Sequence, residues 1–327
     1  MAGEESSRPF FLLTVCTRNR DKTLLRFVDS VGKLAIPAGI RVSLLVIDNN
    51  DKRRWETSDF DLPAAIDIHV IHEPRPGVAH ARNAGFDFAE RVTADWVLGA
   101  DDDGWLDENW LKAYLEAIAE HRGDILLGRI VLHVDPAAHP ILRALDLPAP
   151  PLDRQPKALA TSSYAIAAKM FSTSRGAGLR FDPAFNESGG EDTELMLRAS
   201  RLHGACIRGV PEAIFHEEKI GRRATLAHQF SRMSKHQLIG YVISDLHRKN
   251  GILQTRKRLS VMVAQRTLRS VALAFGYGTM GIAGLLIRWN GSYRMLMMAM
   301  QYSAWAYAVV PFVLGRRPKT YGIYALE

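Results

Sequence analysis

Three consecutive aspartates, Asp101–Asp103, directly follow an apolar run at 96–100. Such a run predicts a buried strand, so the carboxylates would lie together at its carboxyl end. Clustered carboxylates form a hard, oxygen-rich site that suits a hydrated Mg²⁺ or Mn²⁺ carrying a diphosphate. Because like charges at this spacing repel, the fold must supply a cation or donor groups to compensate them. The alternative is a solvated acidic turn ahead of a helix at 108–121, with Asp107 as its N-cap.

A second carboxylate pair, Glu191 and Asp192, follows the dipeptide Gly189-Gly190. The amphipathic residues after it predict a helix over 193–203. Since the start of a helix stabilises anions, capping alone would explain the pair, and a chemical role needs further support.

The segment from residue 10 to about 132 alternates short β-like runs with helical stretches, which predicts a mostly parallel sheet flanked by helices. The predicted strands cover 10–16, 42–48, 66–72, 95–100 and 124–133, and the predicted helices cover 22–34, 78–91 and 108–121. No Gly-x-Gly-x-x-Gly motif follows the first strand. A dinucleotide-binding Rossmann fold of the dehydrogenase kind is therefore disfavoured.

A proline-rich stretch at 135–157 predicts a long loop across the mouth of a site, where it would act as a lid. A second mixed region follows, with predicted strands at 162–168, 205–210 and 213–216.

The composition is that of a globular protein, since 47% of the 327 residues are hydrophobic and 24% are charged. The two cysteines, Cys16 and Cys206, lie in apolar or strand-like contexts. They indicate reduced core thiols and a cytoplasmic setting. The first residues lack the basic and apolar regions of a signal peptide.

The C-terminal residues 241–327 differ in kind from the rest. The stretches 270–287 and 295–315 carry no charge, and each is near the length needed to cross a bilayer. Glycines weaken the first stretch as a span, and Gln301 and Pro311 weaken the second. A membrane hairpin or re-entrant pair is predicted, and helices packed on the soluble domain or forming an oligomer interface are the alternative.

The net charge of +7 lies mostly between Arg222 and Arg269, where eleven basic residues face the single acid Asp245. No zinc-finger spacing or aromatic RNA-binding signature accompanies them. The expected partner is therefore a membrane surface and not nucleic acid.

Five motifs occur in an order that resembles the family 2 glycosyltransferases with the GT-A fold, and most closely the bacterial branch that builds exopolysaccharides such as succinoglycan. They are Thr14–Arg20, Val46–Asn49, Gly77–Gly85, Asp101–Asp103 and Gly189–Asp192. The resemblance covers roughly residues 9–220. The resemblance implies that the GT-A domain occupies 9–240. The composition adds an expected disordered segment at 1–8 and a basic, hydrophobic helical region at 241–327 that associates with a membrane.

The resemblance gives the carboxylates roles. Asp101 is expected to face the ribose and the metal shell, and Asp103 to ligate a metal that bridges the two phosphates. His216 has the family's position for a third metal or phosphate contact, although an isolated histidine is more often structural. Asp192, with Glu191 second, is expected to be the general base that deprotonates the acceptor hydroxyl, which implies inversion at the anomeric carbon.

The expected donor is a UDP-sugar. Asp48 would accept from the N3–H of uracil, or would simply form a turn, and Thr17 would contact the uridine through its backbone. The other expected contacts of the nucleotide are Arg20, Arg82, Asn83, Arg222 and Arg223. Arg82 and Asn83 have a second interpretation, as a surface arginine and an asparagine bonded to local backbone.

The segment Gln229–Met233 resembles the Gln-x-x-Arg-Trp motif of processive polysaccharide synthases, but Met233 replaces the tryptophan on which an acceptor sugar would stack. A non-processive enzyme is therefore expected. The sequence predicts an inverting glycosyltransferase at the cytoplasmic face of the inner membrane, which extends a glycan or a lipid-linked oligosaccharide. The alternatives are a sugar nucleotidyltransferase, which would normally show a glycine-rich, lysine-bearing loop after the first strand, and a catalytically inactive binding or scaffold protein.

Overall fold

The computed structural model describes residues 8–144, 162–253 and 259–316. In these ranges the strands are β1 (Phe10–Thr17), β2 (Arg41–Asp48), β3 (Ile66–His72), β4 (Trp96–Asp101), β5 (Gly104–Leu106), β6 (Ile125–Val134), β7 (Ser163–Ala167) and β8 (Ile207–Lys219). They form one mixed sheet in the order β3-β2-β1-β4-β7-β6-β8-β5. Strands β3, β2, β1 and β4 run parallel to one another, whereas β7 is antiparallel to both β4 and β6.

Helices flank this sheet and continue beyond it. They are α1 (Asp21–Gly32), α2 (Val78–Arg91), α3 (Trp110–Ala119), α4 (Pro140–Arg143), α5 (Ala168–Phe171), α6 (Glu191–His203), α7 (Leu226–Lys249), α8 (Leu259–Leu286), α9 (Ser292–Tyr307) and α10 (Val309–Val313). Within the described residues, 3₁₀ turns occur at Thr57–Asp59, Pro183–Phe185 and Gly221–Ala224. The helices of the predicted α/β region lie within two or three residues of their expected bounds.

The core has two parts because the sheet is covered on both faces. Strand β1 is buried along almost its whole length, as expected for a central parallel strand. On one face Leu13 packs with Phe27 of α1, and on the other Leu12 packs with Phe86 of α2. These two hydrophobic clusters, one on each face of the sheet, hold β1 and β4 in place. The carboxyl ends of both strands carry polar residues, among them Thr17 and Asp101.

Strand β8 differs from its prediction as two strands at 205–210 and 213–216. It is one strand of 13 residues, Ile207–Lys219, despite Pro211. An irregularity in the pairing with β6, between Gly128 and Arg129, absorbs the residues around Pro211. Proline is tolerated at such bulges because no ladder hydrogen bond is needed there. The longer strand brings Glu217 and Lys219 into the sheet.

The C-terminal helices pack on α7. Leu238 and Tyr241 of α7 form a small core with Val263 of α8 and Ala308 at the end of α9. Helix α8 approaches α9 closely at Gly281, where a Cβ would press on Leu296. Of the glycines that weakened this stretch as a membrane span, Gly281 and Gly284 serve close packing, whereas Gly276 has open space around it.

One helical stretch, Ser292–Val313, is long and apolar enough to cross a membrane by length and composition. The predicted span at 270–287 does not pass the same test within the described residues. The predicted boundary at residue 240 falls inside α7. The predicted disorder at 1–8 falls, apart from residue 8, outside the described ranges. Most of the predicted lid at 135–157 also lies outside them, and Pro140–Arg143 of that lid forms α4.

Candidate active site

The carboxyl ends of the parallel strands β1, β2 and β4 meet at one edge of the sheet, beside a cavity of about 810 Å³. Thr17, the last residue of β1, pairs with Asp48 of β2, and Cys16 pairs with Asp101 of β4. Ligands of open α/β sheets bind at this edge because loops and helix starts converge there. The wall of this cavity also includes the start of α6, one face of α7 and two residues of α9.

Two of the three aspartates are held by two arginines from separate loops. Nη1 of Arg20 donates to Oδ1 of Asp102 at 2.7 Å and lies 3.5 Å from Oδ2 of Asp103. Nη1 of Arg223, in the turn before α7, donates to the same Oδ2 at 2.9 Å. Burial raises the pKa of Asp102. Burial acts in the same direction on Asp103, but Arg20 and Arg223 outweigh it and lower the pKa of Asp103, which is therefore ionised at neutral pH.

The third aspartate, Asp101, shares one arginine with Glu191. Arg82 donates to Oδ1 of Asp101 at 3.0 Å and to Oε1 of Glu191 at 2.6 Å. Burial raises the pKa of Asp101 to about 6 and that of Glu191 to about 7, although Arg82 opposes both shifts. One guanidinium thus connects carboxylates from two distant parts of the chain.

Glu191 and Asp192 form the first turn of α6 because two glycines in the left-handed region turn the chain just before it. Gly189 has a φ of 71° and Gly190 a φ of 90°. A Cβ at Gly190 would overlap Ile239 of α7, so this close helix contact requires glycine. Both carboxylates line the cavity together with Asp101–Asp103.

Comparison with known proteins now identifies the first half of the chain. The sequence profile of the family described as Glycosyl transferase family 2 matches residues 13–175. This region is a glycosyl transferase family 2 domain.

Solved structures of glycosyltransferases resemble the chain beyond the matched region. The mannosyltransferase PcManGT from Pyrobaculum calidifontis, in complex with GDP-Man and Mn²⁺, has a TM-score of 0.57 at 13% identity, over 96% of this chain and 89% of that chain. S. aureus TarS 1–349 in complex with UDP has a TM-score of 0.47 at 15% identity, over 94% of this chain and 92% of that chain. The first likeness shows a shared fold, and the predicted GT-A fold is confirmed. No curated protein matches the chain.

Most of the residues predicted for the donor lie at the cavity of the glycosyltransferase domain. Thr17, Arg20 and Asp101 line it, and so do Arg82 and Arg223. The structure does not bring Asp48, Asn83, Arg222 or His216 to it.

Asp48 is fully buried, and its carboxylate is satisfied by the loop that follows β2. Oδ1 accepts from the backbone and side-chain nitrogens of Asn50, at 3.0 and 2.6 Å. Oδ2 accepts from the backbone nitrogens of Arg54 and Trp55, at 2.6 and 3.2 Å. In this structure Asp48 forms a turn, and its neighbour Asn49 lines the cavity instead.

Asn83 and Arg222 lie outside the cavity for different reasons. Asn83 makes reciprocal hydrogen bonds with the backbone of Phe181, donating to its oxygen at 2.8 Å and accepting from its nitrogen at 2.7 Å. It therefore fixes the chain ahead of α6. Arg222 is exposed, and its neighbour Arg223 is the residue that points toward Asp103.

His216 lies on the opposite face of β8 from the cavity because side chains alternate along a strand. Glu217 and Lys219 of β8 line the cavity. His216 instead stacks on Trp105, at 5.1 Å between ring centroids, and Nδ1 of His216 forms a 2.9 Å hydrogen bond with Nε2 of His133. The predicted ligand set of Asp101, Asp103 and His216 is thus not assembled. The part of the chain that the structure describes contains no ready group of three His, Cys, Asp or Glu ligands.

The buried charges of β8 were not predicted from the sequence. Lys219 donates to Glu217, and Glu217 lies 3.9 Å from Nη1 of Arg223. Burial, followed by repulsion from Arg232, lowers the pKa of Lys219. Buried and partly exposed side chains alternate along the second half of β8, and the alternation continues through Glu217 and Lys219. This alternation could have indicated that both side chains face inward, but charged residues in a strand are ordinarily exposed.

Proposed function

We propose that this protein is an inverting glycosyltransferase that moves a sugar from a nucleotide-sugar, expected to be a UDP-sugar, to a glycan or lipid-linked oligosaccharide in cell-surface polysaccharide synthesis. The observation that carries the proposal is that two clusters of carboxylate side chains, Asp101–Asp103 and Glu191-Asp192, line the same cavity. The family 2 domain at 13–175 supports the same reaction class.

Asp192 is the proposed general base. It would take the proton of the acceptor hydroxyl while that oxygen attacks the anomeric carbon of the donor sugar. The bond from this carbon to the diphosphate oxygen breaks on the opposite face, so the diphosphate leaves with the bonding electrons and the configuration inverts. Glu191 is less suited because Arg82 holds it at 2.6 Å and because its pKa, raised by burial to about 7, leaves part of it protonated at neutral pH.

A divalent cation, Mg²⁺ or Mn²⁺, fits the part of the cavity beside Asp101–Asp103, which is called here the donor end. Oδ2 of Asp102 is buried and has no hydrogen-bond partner among the described residues. Carboxylate oxygens are the ligands that such ions prefer. Asp101 and Asp103 would hold the ion, whose charge stabilises a departing diphosphate. Arg20 and Arg223, which contact Asp103, are placed to bind phosphate oxygens.

The nucleoside would lie beside Thr17, Arg18 and Asn49, which line the cavity near the ends of β1 and β2. Asp48 does not select uracil in the observed arrangement because both its oxygens are occupied. Uridine therefore remains a proposal from the family resemblance, and guanosine is the nucleoside to compare with it.

The proposed location is the cytoplasmic face of the inner membrane. Helix α8 exposes apolar side chains, with Leu268 at 70%, Phe275 at 75% and Leu286 at 82% of their full accessibility. Such a face beside a helical stretch of membrane-spanning length suits contact with a lipid surface.

The test combines nucleotide binding with turnover, using the full chain in detergent. UDP and GDP are added with Mg²⁺ or Mn²⁺ during thermal unfolding, and release of nucleoside diphosphate from nucleotide-sugars is followed separately. We expect metal-dependent stabilisation that Asp103→Asn removes. Asp192→Asn should keep that stabilisation and lose turnover by about 10²-fold or more. Asp61→Asn, at an exposed residue outside the cavity, is the matched control.

Two outcomes would reject this function. Nucleotide binding without sugar transfer or hydrolysis in the wild type would favour a binding or scaffold protein. Pyrophosphate release from a nucleoside triphosphate and a sugar phosphate would identify a nucleotidyltransferase.

A further inference from the structure

One face of α7 carries basic side chains along the cavity, beyond the two carboxylate groups. His228, Arg232, Lys235 and His236 line the cavity at helical spacing, so they share one side of the helix. The same face ends at Ile239, which touches Gly190 just before the Glu191-Asp192 pair.

Two cations on this face lack a counterion. Arg232 and Lys235 form neither an ion pair nor a hydrogen bond with another residue in the described ranges, and both line the cavity. The arginines near the aspartates are instead paired with carboxylates. Uncompensated positive charges in a confined cavity concentrate anions. An anionic ligand would supply the missing partner.

The charge of the face comes from these two residues and not from its histidines. Desolvation and then the charge of Arg232 lower the pKa of His236 to about 4. Desolvation and the same arginine also lower the pKa of His228. Both rings are therefore neutral at pH 7, and they offer hydrogen bonds without adding charge.

The face of α7 that carries the two cations lies near both Lys219 of β8 and the proposed base Asp192, and all of these residues line the same cavity. Arg232 is near enough to Lys219 of β8 to lower its pKa, and Asp192 is near enough to His236 to oppose the lowering of its pKa. At a rise of ~1.5 Å per residue, Lys235 lies about 6 Å along the helix axis from Ile239, and Arg232 about 10 Å. A group bound there would adjoin a hydroxyl at Asp192.

Helix α9 also contributes to the wall of this cavity. Gln301 and Trp305 line it, and both belong to the stretch Ser292–Val313 that has membrane-spanning length. Helix α9 packs on α8, whose outer face exposes Leu268 and Phe275. The anionic group of a ligand held by these cations would therefore lie in the cavity, and an apolar part of the same ligand would lie beside the apolar helices.

We propose that Arg232 and Lys235 bind a phosphate group of a lipid-linked acceptor. The proposal rests on the glycosyltransferase function proposed above and names the chemical class of its acceptor. The diphosphate of the donor is the other source of the same chemistry. Arg20 and Arg223 already stand at the donor end beside Asp103, so the cations on α7 are left for the acceptor.

The experiment measures binding of farnesyl monophosphate to the full chain in detergent by calorimetry, with farnesol as the uncharged probe of the same chain length. Farnesyl monophosphate should bind at least tenfold more tightly than farnesol. The double variant Arg232→Gln/Lys235→Gln should lose at least tenfold in affinity for the phosphate and keep its affinity for UDP or GDP with Mn²⁺ within twofold. Arg232→Lys, which keeps the charge, should retain most of the phosphate affinity.

The matched control is Lys249→Gln, at an exposed lysine of α7 that pairs with Asp245 outside the cavity. It should bind all probes like the wild type. If thermal unfolding shows that the double variant does not fold, Arg232→Gln and Lys235→Gln are measured singly, and each should weaken phosphate binding.

Equal affinities for farnesyl monophosphate and farnesol would overturn the proposal. So would an equal loss of nucleotide and farnesyl monophosphate affinity in the variants, which would assign the cations to the donor diphosphate. If the wild type binds farnesyl monophosphate through Arg232 but binds no nucleotide, the phosphate site stands and the glycosyltransferase function fails.

Discussion

Arg82 and Glu191 form a buried ion pair, with Nη1 2.6 Å from Oε1 and side chains only 9% and 6% exposed. The same guanidinium lies 3.0 Å from Asp101 at the end of β4. Without it, the buried carboxylate of Glu191 and the half-buried carboxylate of Asp101 would have no cation between them. Arg82 therefore connects Asp101 to Glu191, the neighbour of the proposed base Asp192, which is a positioning role. The diphosphate contact expected for Arg82 stays a prediction.

Replacing Arg82 with Met should lower the free energy of unfolding by about 3–5 kcal/mol at pH 8, because it leaves Glu191 buried without its cation. Urea unfolding measures this loss. The control is Lys33→Met, whose side chain is 60% exposed and pairs with Asp29, itself 65% exposed. That variant should lose less than about 1 kcal/mol, as surface pairs do. Equal losses in the two variants would contradict the bridging role.

The pair also predicts a dependence of stability on pH. Burial, opposed by Arg82, raises the pKa of Glu191 from 4.5 to about 7 in the folded protein. Between these values the folded state binds more protons than the unfolded state, so the contribution of Glu191 to stability is present at low pH and is lost as the pH rises through 7. Glu191→Gln cannot titrate, so its stability relative to the wild type should increase from pH 5 to pH 8. Urea unfolding of both proteins across this range measures the difference, and a constant difference would show that the pKa is not raised.

The sequence predicted the sheet and both carboxylate groups because these depend on local patterns. Asp101–Asp103 follow an apolar run that forms β4, and Glu191-Asp192 precede an amphipathic run that forms α6. The carboxyl ends of parallel strands meet at one edge, so the place of the cavity follows from the order of these elements.

The partners of individual side chains were less accessible to sequence reasoning. Asp48 ends β2 as predicted, but the amides that occupy its oxygens come from a loop whose path depends on the surrounding packing. His216 was placed at the site from the position of a motif, and the register of β8 turns it toward Trp105 instead. Gln229 was expected in an acceptor motif, yet it is buried and donates to the backbone oxygen of Arg223 at 2.6 Å. Long-range contacts decide such details, and local patterns do not encode them.

Gly190 predicts a test of how α6 is positioned. Alanine there would have to adopt a φ near 90° and would overlap Ile239. The combined strain should lower the free energy of unfolding by about 2–4 kcal/mol. Gly204 ends the same helix with a φ of 61° and has open space around it, so Gly204→Ala should cost only about 1 kcal/mol. Thermal and urea unfolding compare the two, and a similar cost would mean that contact with α7 does not fix the start of α6.

The apolar face of α8 predicts binding to lipid. Phe275 and Leu268 are 75% and 70% exposed, and transfer of such side chains out of water contributes about 1.5–3 kcal/mol each. Phe275→Asn and Leu268→Asn should therefore each weaken binding to anionic phospholipid vesicles by about tenfold or more, measured by cosedimentation. Leu202→Asn, at a residue 54% exposed on α6, should bind like the wild type. The opposite outcome is that both α8 variants bind vesicles like the wild type but have a lower mass by light scattering. That result would assign this face to contact between copies of the chain, because the loss of apolar area would weaken self-association.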